Sequence, residues 1–151
     1  MKELQRTIQL FEKLYEGEPW IDVNIKDTLN NLSAEQAAKK VYDLNSIWEI
    51  VNHITNWRKN VLKRINGKVL TTPAHNYFEP VSDTSDAAWT KTLTALNKTQ
   101  VEWLSFLKTF HKEYFSEVYP KNKMTYYEHI HGILQHDAYH LGQIKLLVKL
   151  V

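Results

Sequence analysis

Of the seven histidines in this chain, two lie one turn apart on or beside a helix stripe that should be apolar. His136 and His140 are four residues apart, so on a helix their imidazoles project one above the other. The stripe through them runs Tyr126, Ile130, Ile133, Asp137, His140, Ile144, Leu147 and Val151 at four-three spacing. Asp137 and His140 therefore fall at core positions in mid-helix. A buried polar group left without a partner costs about 1–3 kcal/mol, and one metal ion can serve several imidazoles at once. His-x-x-x-His on one face can offer two nitrogens to a single ion. The same spacing also suits a pair of hydrogen-bonded core histidines.

A third histidine favours the metal. His53 lies on the border of an apolar face, beside Ile50 and Trp57, where it is placed to point into a cleft between helices. It stands 13 residues before Asn66, and residue 138, midway between the other two histidines, stands 12 residues after Tyr126. If these two helices run antiparallel with those ends level, the three imidazoles meet at one height; a parallel pair would misplace them by roughly 7 Å. His53, His136 and His140 are thus the candidate ligands for one divalent ion. Neutral imidazoles suit zinc, nickel or iron and leave at least one position open.

The remaining histidines fit less well. His129 is two turns before His136, too far along the axis to ligate; His131 faces away from the seam, and His75 and His111 sit in or beside loops. Glu128-x-x-His131 matches half of a di-iron carboxylate motif, but that motif is needed twice with two further glutamates, so it is set aside. Asp137 and Arg58 both occupy seam positions, where charge must be paired. The expectation is that Asp137 pairs with Arg58 or accepts from a ligand histidine.

Four long helices must position these groups. The first spans about Lys2 to Tyr15, with Leu4, Ile8, Phe11 and Tyr15 inward; Gly17 and Pro19 end it. A second piece covers about Trp20 to Leu32, and Ser33 with Gln36 opens a short helix through Lys40. Ser46-x-x-Glu49 starts the second long helix, whose seam of Ile47, Val51, Ile54, Val61 and Ile65 stops at Gly67. Lys68 to Asp83, with Pro73 and Pro80, has no helical period and reads as a long crossing loop. The third helix spans about Ser85 to Phe110 on a seam from Trp89 to Phe110. Thr125-x-x-Glu128 opens the fourth, which is expected to run to the C-terminus. The pattern is that of an all-α four-helix bundle in one domain, residues 1–151.

Composition narrows the function classes. The chain has 19 basic and 17 acidic residues, a net charge of +2, and no concentrated basic stripe, which argues against nucleic-acid binding. Having no cysteine, it can form neither disulfides nor thiolate metal ligands. Met1 to Phe11 is charged and amphipathic, unlike a signal peptide, and no apolar run approaches the ~18 residues of a membrane span. A soluble, cytoplasmic protein is expected.

Two blocks carry a family resemblance. Ser46-Ile-Trp-Glu-Ile-Val-Asn-His53-Ile, preceded by Leu32-Ser-Ala-Glu-Gln-Ala, and His136-Asp-Ala-Tyr-His140-Leu-Gly-Gln-Ile144 resemble the conserved blocks of the DinB/YfiT-like superfamily. The resemblance implies an up-down-down-up bundle, often a homodimer, whose metal is held by His53, His136 and His140. That topology would explain the long loop, because parallel second and third helices need a connection running the length of the bundle. Leu141 stands where the family pattern often has Arg, which alters the polarity of the cleft.

Members of that superfamily include metal-dependent transferases that attach a low-molecular-weight thiol to an electrophile, and metal-dependent hydrolases. The resemblance therefore implies a small-molecule substrate, with a cellular thiol as co-substrate in the transferase case. In the transferase the metal would stabilise a thiolate, and in the hydrolase a hydroxide. A metal-binding or interaction protein without catalysis is the rival class. Glu49, one turn before His53, is the candidate proton acceptor, although its place in the capping box explains it equally. Trp48, Trp57 and Tyr139 are candidates for shaping the pocket.

Overall fold

The computed structural model describes residues 2–151. Among them the chain is all-helical, with six α-helices, one short 3-10 helix and no strand. Helix α1 (Lys2–Glu16) buries Ile8, Phe11, Leu14 and Tyr15 on one face, as the spacing requires. The expected continuation from Trp20 to Leu32 is shorter. Helix α2 is confined to Ile25–Asn30, because the Asn24 side chain accepts from the Asp27 N–H and sets the start there. Before it, Asp22 has φ 58° and Trp20 projects into solvent, 96% exposed.

Helix α3 (Ala34–Ala38) and helix α4 (Ile47–Ile65) both open on complete capping boxes, Ser33 with Gln36 and Ser46 with Glu49. Gly67, at φ 82°, ends α4 where a side chain would be strained. Helix α5 (Asp86–Thr109) is capped by Ser85, and helix α6 (Tyr126–Leu147) by the Thr125–Glu128 capping box. A 3-10 helix (Lys112–Ser116) and a single bridge between Val118 and Thr125 join them. The last helix stops short of the C-terminus: Lys149 and Leu150 donate to Leu146 and Leu147, tightening the end into turns.

Four long helices pack in a ring, α4 against α5 and α6, and α1 against α5 and α6. Between α4 and α5 the paired positions rise together, Trp48 with Thr92 and Arg58 with Thr99 and Gln100. Between α1 and α5 they run oppositely: Phe11 stacks on Trp103 at 5.0 Å, and Tyr15 donates to Asn97. Their buried apolar side chains belong to a single cluster. Each large side chain so buried contributes about 1.5–3 kcal/mol. No helix among the described residues is long and apolar enough to cross a membrane.

Candidate metal centre

Helix α4 delivers His53 and α6 delivers His136 and His140, with paired residue numbers running in opposite directions. The three rings converge. His53 lies 4.9 Å from His136 and 4.6 Å from His140 between centroids, and His136 lies 4.4 Å from His140. One donor nitrogen from each falls within 4.8 Å of the others. His53 is the most buried at 2% exposure, His140 follows at 6%, and His136 is partly exposed. The helix pattern alone would have ranked His140 deepest; the loop covering His53 reverses that order.

Hydrogen bonds set which nitrogen of each ring is free. His53 Nδ1 lies 2.6 Å from the Asn76 carbonyl, which can only accept, so Nδ1 carries the proton and Nε2 has a lone pair. His140 Nδ1 donates in the same way to Gln143 Oε1 at 2.6 Å. His53 Nε2 and His136 Nε2 are 2.9 Å apart. With no cation bound and His136 neutral, its Nε2 donates to His53 and its own Nδ1 is unprotonated. Among the described residues that Nδ1 is buried without a hydrogen-bond partner, 3.6 Å from Asp137 Oδ1, which also has none.

This mismatch is the test of fit for a metal. A proton on His136 Nδ1 would face Asp137 Oδ1 across 3.6 Å, slightly longer than a hydrogen bond, and would leave all three Nε2 lone pairs turned toward one another. Such convergence of neutral imidazoles, each steadied through its other nitrogen, is the donor set of a divalent ion. The residues fit.

The loop between α4 and α5 supplies what the helices cannot. Phe78 N donates to the His75 carbonyl across Asn76 and Tyr77, both left-handed at φ 50° and 63°. Two consecutive positive φ values make a type I′ turn, rarely built without glycine. The Trp57 indole donates to Asn76 Oδ1, and the Asn60 amide donates to the Tyr77 hydroxyl, so α4 holds the turn by its side chains. The turn in turn places the Asn76 carbonyl on His53 and lays Phe78 flat on the same ring at 3.9 Å. Asn76, Tyr77 and Phe78 were invisible to periodicity because they lie in an aperiodic loop. Gln143 had a signal, its position one turn after His140.

Burial is the main electrostatic influence. It drives the His53 imidazole down from 6.5 to about 4, against the opposing pull of the Asn76 carbonyl, and it also lowers His140. Both rings are thereby kept neutral, the form that ligates. Behind them, Asp137 meets Arg58 across the core, with Oδ2 2.7 Å from Nε and neither side chain exposed. Arg58 also donates to Gln100 at 3.0 Å and lies over the Tyr15 ring.

A family model described as the DinB superfamily matches residues 24–144. The chain belongs to the DinB superfamily. No curated protein and no solved structure gives a significant match. In this DinB-superfamily chain, Glu49 sits apart from the residues that line the histidine cleft. Burial pushes its carboxyl up, but hydrogen bonds from Lys40 and Ser46 outweigh that and hold it below the usual range. Trp57 and Tyr139 line the cleft, whereas Trp48 is a core residue against Trp89. Leu141 is fully buried and is absent from the cleft lining, so the departure from Arg there changes the core. His129 bonds to Thr125 and Asn122, and Glu128 to Thr125, both away from the triad.

Proposed function

We propose that this chain is a metal-dependent enzyme that joins a small thiol to an electrophile at His53, His136 and His140. The observation that carries the reading is the convergence of three buried or partly buried imidazoles in a cleft of about 870 Å³. A divalent ion there (zinc, nickel or iron) supplies a Lewis acid, lowering the pKa of a thiol or water that it binds. His53, His136 and His140 hold it while keeping their neutral form. Asn76 and Gln143 orient His53 and His140 through their second nitrogens, and Asp137 faces that of His136. Phe78 and Trp57 exclude water from one side of His53. Glu49 is given the structural part, closing the cap of α4.

The same reading takes the chain as one domain of up-down-down-up topology. What supports that order is the rising register between α4 and α5 and the opposed registers of α1 with α5 and of α4 with α6. A cytoplasmic homodimer with a cellular thiol as co-substrate completes the reading.

The test is the rate of conjugation of several cellular thiols with an epoxide or alkyl halide. Metal-loaded protein should exceed both metal-free protein and His53→Ala. Equal rates in all three with every thiol rule the transferase out; ester cleavage by the loaded form alone would point to a hydrolase.

A further inference from the structure

The histidine cleft has walls of a different character from its imidazoles. Leu44, Trp57, Phe78, Tyr139, Leu146 and Leu150 are among the side chains that line it. Four of these are largely in water, Leu44 at 53%, Tyr139 at 64%, Leu146 at 66% and Leu150 at 54% exposed. Isolated exposed leucines need no explanation, but several gathered round one cavity form a surface suited to an apolar ligand. Among the described residues no carboxylate lines this cavity, and its one ammonium group is that of Lys149, at the Leu146–Leu150 end.

A multiply charged ligand would lose its water against these leucines and regain few hydrogen bonds. An alkyl or aryl chain would gain with each methylene covered. We propose that the electrophile is an extended apolar molecule with its reactive carbon at one end and at most one negative charge at the other. The reactive end faces the imidazoles, the chain lies along Leu146 and Leu150, and the anion faces Lys149. This names the substrate class for the thiol transfer proposed above and rests on that reading. For an epoxide of this kind, the C–S bond forms as a C–O bond opens, and the proton of the thiol ends on that oxygen.

The experiment uses metal-free full-length protein and straight-chain alkane-1-sulfonates from butane to decane, poor metal ligands, titrated by calorimetry. Affinity should rise about fourfold per added methylene. Leu146→Glu and Leu150→Glu, both at exposed positions, should flatten that dependence while leaving circular dichroism unchanged. Sulfonates should bind more tightly than alkan-1-ols of equal length, an advantage that Lys149→Gln removes. Affinity independent of chain length, or unaltered in both glutamate variants, overturns the proposal. So does a wild-type dimer that Leu146→Glu splits without changing sulfonate binding, since the rim would then belong to a second copy. Because no metal enters the titration, failed thiol conjugation with normal sulfonate binding sinks the transferase reading alone.

Discussion

Arg58 on α4 and Asp137 on α6 form a fully buried ion pair, Nε to Oδ2 at 2.7 Å, one residue from the metal-ligand candidate His136. Removing either partner leaves a charge stranded in the core, which typically costs about 3–5 kcal/mol. Arg58→Met and Asp137→Leu should each lose stability of that order in urea unfolding. The double variant should lose much less than the sum of the two. Additive losses would show that the pair is not a unit.

Metal stoichiometry follows from the triad. About one zinc or cobalt ion should bind per chain, and His53→Ala, which removes the deepest ligand, should abolish tight binding. His129→Ala should not, because that ring is engaged by Thr125 and Asn122. Calorimetric titration of the three proteins checks this; undiminished binding by His53→Ala would remove the three-histidine centre.

Metal should also move a proton. A neutral, metal-free His136 should carry it on Nε2, 2.9 Å from His53 Nε2, and the loaded form should carry it on Nδ1, facing Asp137. Nitrogen-15 NMR of the imidazoles should show this change of tautomer on adding zinc. Asp137→Asn should weaken zinc binding, by analogy with other outer-shell partners, about 10–100-fold. An unchanged tautomer speaks against the site as drawn.

Stability of the metal-free protein should depend on pH below neutrality. With His53 lowered from 6.5 to about 4 in the folded chain, the unfolded chain takes up the proton first. Stability from this group is therefore complete above pH 6.5, falls as pH drops towards 4, and changes little below that. At ~1.4 kcal/mol per pH unit the loss is on the order of 3 kcal/mol, and His140 adds in the same direction. Urea unfolding between pH 7 and 5 should show the slope, and His53→Asn should reduce it. Metal should likewise be retained below pH 6, where ordinary histidines would already be protonated.

The strained turn offers a contrast between two substitutions. Asn76→Ala puts an ordinary side chain at φ 50° and removes the acceptor of the Trp57 indole, for an expected loss of about 1–3 kcal/mol. Asn76→Gly suits that backbone and loses only the indole bond, so it should be milder. Cobalt affinity should follow the same order, since both act on the carbonyl that holds His53. Equal melting temperatures and affinities for the two would dissociate the turn from the site.

Three helix starts were readable residue by residue. Ser33, Ser46 and Thr125 cap as their neighbours imply, because a cap is a bond between groups two or three residues apart. The three histidines could also be selected, since helical period fixes which side chains share a face and the rise fixes their level. Even the Arg58–Asp137 pair followed from two charges at seam positions.

Other features depended on contacts far apart in the chain. The depth of His53 was set by Phe78 and Asn76, from a loop without any period. Leu141 went to the core rather than the cleft, because its direction depends on where α6 meets its neighbours. The His136 tautomer and the mouth of leucines at Leu146 and Leu150 likewise exist only once α4, α6 and the loop are assembled. Local hydrogen bonding and helical period are properties of sequence neighbours, whereas burial and the partner of an imidazole nitrogen are properties of the packed molecule.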